Sequence, residues 1–229
     1  HGDFDGKTIL TKVKRAFGDL PARPAPARPD VRESRQTAER RRTIEDPFAP
    51  LVNLNIAFKA VPGDDPDFFA LTVLSSVLQE GHSSRLYRAL VDGGLASNVG
   101  GRMAERRGPG AFYVEATLRP ATQVDAVEQA IYSEIARLQE EPVAAWELEK
   151  ARTSLAASYL DGLGRGLLRA FAVGQYTAEF DDPNRINTYI DRIAAVTAGD
   201  VQRVAREHLR AENRSVLVTL PMQAAEGTK

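Results

Sequence analysis

Cysteine is absent from the 229 residues, so no disulfide staples the chain and no thiolate is available to hold a metal. Histidine is nearly absent: His1, His82 and His208 are the three present. That scarcity removes centres built from paired imidazoles at helical spacing, and no Ser-His-Asp or Cys-His constellation can be assembled from what remains. No apolar run approaches the roughly 18 residues that a membrane helix requires. Excess charge is missing too. A formal net charge of -1 gives no reason to expect nucleic acid or an anionic membrane as partner.

What is present is ordinary for a soluble globular protein, 43% hydrophobic and 27% charged residues. The length suits one compact domain with an attached segment. Residues 1–20 read as the end of a preceding unit, a strand stub and a helix over 7–17 without a sheet of their own. The chain starts at His1 without a signal-peptide pattern and reads as a piece of a longer protein. Residues 21–38 form a Pro/Arg-rich linker, because Pro21, Pro24, Pro26 and Pro29 deny it a helix. Arg23, Arg28, Arg32, Arg35 and Arg40–Arg42 make this region basic, yet it lacks interleaved aromatics and carries Asp30, Glu33 and Glu39. A solvated connector is the better reading than a nucleic-acid arm. Residues 39–229 are then the folded domain.

Leu54, Ile56, Phe58 and Ala60 alternate with Asn53, Asn55, Ala57 and Lys59, the period of a half-buried strand. Phe112, Val114, Ala116 and Leu118 repeat it, as do Val216, Val218 and Leu220. Helical stripes fall between them: Val124, Val127, Ile131, Ile135 and Leu138; Leu148, Ala151, Leu155 and Tyr159; Ile186, Ile190 and Ile193; Val201, Val204 and Ala205. Strands with one apolar face and helices with one apolar stripe predict an α+β fold, a two-layer α/β sandwich whose largely antiparallel sheet carries helices on one face. The glycines at 162, 164 and 166 follow helical sequence rather than a strand, which predicts a break between helices and not a phosphate loop.

Residues 67–97, DFFALTVLSSVLQEGHSSRLYRALVDGGLAS, are the most informative stretch. Asp65 and Pro66 form a helix start, Ala70, Val73, Leu74, Val77 and Leu78 make its stripe, and Gly81 breaks it. Ser83 or Ser84 is predicted to cap a second helix, on which Leu86 and Leu90 lie one turn apart beside Tyr87 and Val91; Gly93 and Gly94 end it.

The order D-x-x-A-L, G-x-S-S-R-L-Y and G-L-A-S resembles the insulinase/pitrilysin family of zinc metallopeptidases. So do Glu39–Arg41, the strand NLNIAFKAV, the run DPNRINTYIDRIAAVTAGDVQRVAREHL and the opening residues, in family order along nearly the whole chain. Members bind zinc through H-x-x-E-H, two histidines four apart on a helix with the glutamate as general base. Here Glu207–His208 matches the end of that motif, but Val204 stands where the first histidine belongs. His208 therefore reads as a surface histidine at a helix C-terminus, and His82 as a loop residue. The resemblance thus implies the second, non-catalytic half-domain, which needs no cofactor of its own. Zinc is expected in an H-x-x-E-H-bearing catalytic half, on the same chain or a separate subunit, and a peptide is the expected substrate. An interaction scaffold without a part in proteolysis is the alternative, and a bacterial cytoplasm or periplasm is the setting the resemblance leads one to expect.

In the family the second half often supplies an arginine and a tyrosine to the substrate backbone. Alignment on S-S-R-L-Y and G-L-A puts those positions at Val91 and Ser97, which have neither charge nor reach. Tyr87 matches an aromatic that lines the substrate chamber in some relatives, with core packing as the other reading. Arg85 is read either as a carboxylate clamp or as a structural ion pair. The purified chain is expected to retain no zinc after dialysis against metal-free buffer; one tightly held zinc per chain by elemental analysis would contradict this reading.

Overall fold

The computed structural model describes residues 2–222 apart from 25, 28 and 32, so His1, Arg28 and Arg32 lie outside the described residues. Among those described, five strands form one sheet: β1 (Arg40–Asp46), β2 (Asn53–Ala60), β3 (Ala96–Gly100), β4 (Gly110–Leu118) and β5 (Arg214–Pro221), in the order β1-β5-β2-β4-β3. The β5–β2, β2–β4 and β4–β3 pairs are antiparallel, and only β1 lies parallel to its neighbour β5. This is the largely antiparallel sheet that the alternation predicts.

Register follows from burial. Opposite one another across β2, β4 and β5 stand Leu54, Ala116 and Val218, then Ile56, Val114 and Val216. All six are buried, because a one-residue slip would turn every one of them to the other face. Their side chains join those of α2 (Asp67–Gln79), α3 (Val124–Glu140), α4 (Ala145–Gly164), α6 (Arg185–Ala195) and α7 (Ala198–His208) in one core. Helix α2 is the centre of the helical layer: every residue from Phe68 to Gln79 except Thr72 is buried. It packs against α4, α6 and α7 and also touches β4. A helix buried on nearly all sides is mostly apolar, and its buried polar residues Ser75, Ser76 and Gln79 are hydrogen-bonded, Gln79 to Ser75 and to the Tyr113 carbonyl.

Two strands carry no legible alternation. Strand β1 (RRRTIED) is an edge strand with residues 40–43 all exposed, and its charges suit an edge that must not recruit another strand. Strand β3 (ASNVG) is short and has a bulge between Ala96 and Asn98. The glycine cluster separates α4, which ends at Gly164, from α5 (Gly166–Phe180), as the sequence predicts. Helix α5 nonetheless leaves Leu167 and Phe171 exposed.

Ahead of the sheet, α1 (Gly6–Phe17) is capped by Asp5, whose carboxylate accepts the Thr8 amide at 2.8 Å, and it buries none of its residues. The described part of the linker has no regular structure, but its end is tied to the sheet: Gln36 is buried and donates to the Arg214 carbonyl at 2.7 Å. Among the described residues no helix is long and apolar enough to cross a membrane. Phe112 is fully buried edge-to-face with Phe58 at 6.5 Å, so Phe112→Ala is expected to cost about 3–5 kcal/mol in urea unfolding.

Candidate functional site

The candidate residues gather where α2 gives way to the next turn. Asp65 accepts the Asp67 amide at 2.9 Å ahead of α2, but the expected cap is shifted: the helix begins at Asp67, Pro66 stands at the N-cap, and no side chain caps it. Gly81 leaves the helix with φ of 75°, a left-handed conformation that a side chain would strain. The predicted serine cap is not made: Ser84 is buried and its hydroxyl has no hydrogen-bond partner. The chain instead starts with Arg88 N–H bonding Ser84 C=O and widens into a π-helical turn, Tyr87–Asp92, where Gly93 N–H reaches Arg88 C=O at 3.1 Å. Leu86 and Leu90 are both fully buried.

Arg85 turns toward α4. Its Nε and Nη2 donate to the two oxygens of Glu147, each at 2.8 Å, a planar fork onto a carboxylate with both side chains about one-tenth exposed. Glu147 also accepts the Ala144 amide at 3.0 Å, closing the first turn of α4. The Arg85 guanidinium is the main reason that Glu147 titrates below its ordinary 4.5, with burial opposing it, and Arg85 is raised by the same pair. Engaged in this way, Arg85 cannot clamp a substrate without abandoning a buried partner.

Tyr87 is half-buried with its ring stacked on exposed His82, centroids 4.6 Å apart and planes 21° from parallel. Val91 is half-buried against the core. Ser97 is exposed on β3 and donates to the Thr117 carbonyl at 3.1 Å. The π-helical turn contacts β3. Tyr87, Val91 and Ser97 thus sit on two touching elements while Arg85 points to a third.

His208 is more than a surface histidine on a helix dipole. It ends α7 with Nε2 3.3 Å from Asp67 Oδ2. Asp67, Glu207 and His208 place potential ligand atoms within 4.8 Å of one another. They do not fit a zinc ion. The Arg203 guanidinium already holds both Asp67 oxygens at 2.6 and 3.1 Å and Glu207 at 3.0 Å, so a cation is in place. The Arg203 fork, with burial opposing it, keeps the Asp67 carboxyl below its ordinary range. Glu147 and Arg203 have no sequence signal as partners, since they lie 62 and 136 residues from the groups they bind.

This sheet, this turn and this missing imidazole pair meet in one family. The model of the peptidase M16 inactive domain matches residues 1–155. The chain belongs to that family. An inactive peptidase domain from Bordetella parapertussis is 25% identical with a TM-score of 0.72, covering 79% of this chain and 96% of that one. Two longer proteins share the fold. A protease from Helicobacter pylori has 22% identity and a TM-score of 0.86, with 96% of this chain and 53% of that one covered. A peptidase M16 inactive domain from Pseudomonas fluorescens has 19% identity and a TM-score of 0.79, with 98% and 53% covered. The chain therefore spans about half the length of these two. No curated protein matches the sequence. As an M16 inactive domain the chain is the non-catalytic half of a zinc protease-like fold.

Breaking the Arg85–Glu147 pair from one side leaves a buried charge uncompensated, so Glu147→Gln is expected to lose about 3–5 kcal/mol near neutral pH. Because Glu147 is depressed in the folded state, its contribution is complete above 4.5 and is lost as pH falls through the folded value. The difference in urea midpoint between wild type and Glu147→Gln should therefore close below about pH 4.5; a pH-independent difference would count against the assignment.

Proposed function

We propose that this M16 inactive domain forms the wall of a proteolytic chamber opposite a zinc-bearing H-x-x-E-H half, where it confines and positions peptide substrates. The observation that carries the reading is the pairing of a family fold with a sequence that contains no H-x-x-E-H. The half-length coverage of the Helicobacter pylori protease supports a second half as partner. In that partner the metal-activated water would attack the peptide carbonyl, and this chain would act by positioning rather than by bond-making. Tyr87, Val91 and Ser97 are assigned to the chamber side, where a stacked phenol, a small apolar surface and a strand-edge hydroxyl are offered to substrate. Arg85 is assigned to holding the turn. Helix α1 with residues 1–20 is assigned to the end of the partner half, because Leu10, Val13 and Phe17 are exposed and wait for a cover.

Reconstitution of the two halves tests this. Tyr87→Ala is expected to lower kcat/KM for peptides about tenfold, close to 1.4 kcal/mol, while the zinc content of the catalytic half stays unchanged. The paired substitutions Val91→Arg and Ser97→Tyr should alter KM. Unchanged kinetics in both variants would favour the scaffold reading, in which the fold serves as an interaction domain.

A further inference from the structure

The π-helical turn has a second side. Between it and the junction of α3 with α4 lies a cleft of about 520 Å³, walled by Arg85, Arg88, Arg137, Glu134, Glu141 and Trp146 among others. Its charges are unevenly engaged. Arg85 is forked onto Glu147 and Arg137 is bonded to Glu134 at 2.9 Å. Arg88 is held by a neutral acceptor, the Ser83 carbonyl, at 2.8 Å through Nη2 and 3.2 Å through Nε. Its guanidinium lies 5.3 Å above the ring of Trp146, which is 52% exposed. A guanidinium fixed by a carbonyl and an aromatic face keeps its charge and one nitrogen available to an anion.

We propose that this cleft binds a carboxylate flanked by an apolar or aromatic group, the chemistry of a peptide's free C-terminus. Arg88 receives the carboxylate, and the face of Trp146 carries the flanking side chain. A phosphate dianion suits the cleft poorly, because Glu134, Glu141 and Glu147 line it and repel a doubly charged group. A monoanion with an apolar flank meets both Arg88 and the indole. The inference stands on this chain's own residues and does not depend on its lining a proteolytic chamber.

Trp146 is the single tryptophan of the chain, so its emission reports on the cleft alone. Titration of the full chain with N-acetylphenylalanine is expected to change that emission saturably, with Kd in the millimolar range. N-acetylphenylalaninamide and inorganic phosphate at matched ionic strength should give no saturable change. Arg88 is exposed, so Arg88→Gln should keep the circular dichroism of the wild type and weaken the carboxylate at least about tenfold. No saturation, an equal response to the amide or to phosphate, or unchanged affinity in Arg88→Gln would each overturn the proposal.

Discussion

The buried pair of Arg85 and Glu147 holds together the part of the molecule that defines it. Taking a guanidinium and a carboxylate out of water is costly, and only a well-aligned fork with the remaining lone pairs satisfied offsets it. On the carboxylate side both conditions are met, since two parallel 2.8 Å bonds are joined by the Ala144 amide, while Arg85 Nη1 stays buried without a partner. The consequence is geometric. The turn that follows α2 is fixed to the first turn of α4, so the π-helical segment bearing Tyr87 and Val91 has one position relative to the helical layer. An apolar contact of equal area would leave that turn freer to slide, because burial is non-directional and a fork is not.

Two further clasps repeat the device at other corners. Arg185 is buried, donates to the Gly63 carbonyl at 2.6 Å and to Glu105 at 2.7 Å, and lies 4.0 Å over the ring of Phe180. Gly63 belongs to this clasp by necessity: a Cβ there would come within 2.5 Å of Glu105 and 2.9 Å of Phe180. Four residues on from Gly63, at the start of α2, Asp67 is the point on which Arg203 and His208 of α7 converge. Each clasp joins segments far apart in the chain. Together they set the order in which α4, α6 and α7 lie around a central helix whose apolar surface has no preference among them.

How much of this was legible in the sequence depended on whether a residue's partner was local. The strands around Ile56, Val114 and Val218 announce themselves because a sheet with one buried face imposes a period of two. The stripes of α3, α4, α6 and α7 do so for the same reason at a period of 3.6. Strand β1 was hidden because its first four residues are exposed and carry no apolar alternation, and β3 because five residues with a bulge are too few to show one. The serine cap failed because the backbone after Gly81 bonds through carbonyls and leaves the Ser84 hydroxyl buried inside the turn. His208 looked solitary because its partner, Asp67, is 141 residues away.

The sequence by itself determined the layers, the central strands, the family resemblance in residues 67–97 and the lack of an imidazole pair, since each is written in residue types at short, fixed spacing. Only the tertiary structure decided that Arg85 is spent on Glu147, that Asp67 is already neutralised by Arg203, and that Arg88 stands over Trp146 at the mouth of a cleft. Those facts depend on side chains meeting across tens to more than a hundred residues of intervening chain. Periodicity reports which face of an element is buried; it carries no information about which distant charge will be waiting there.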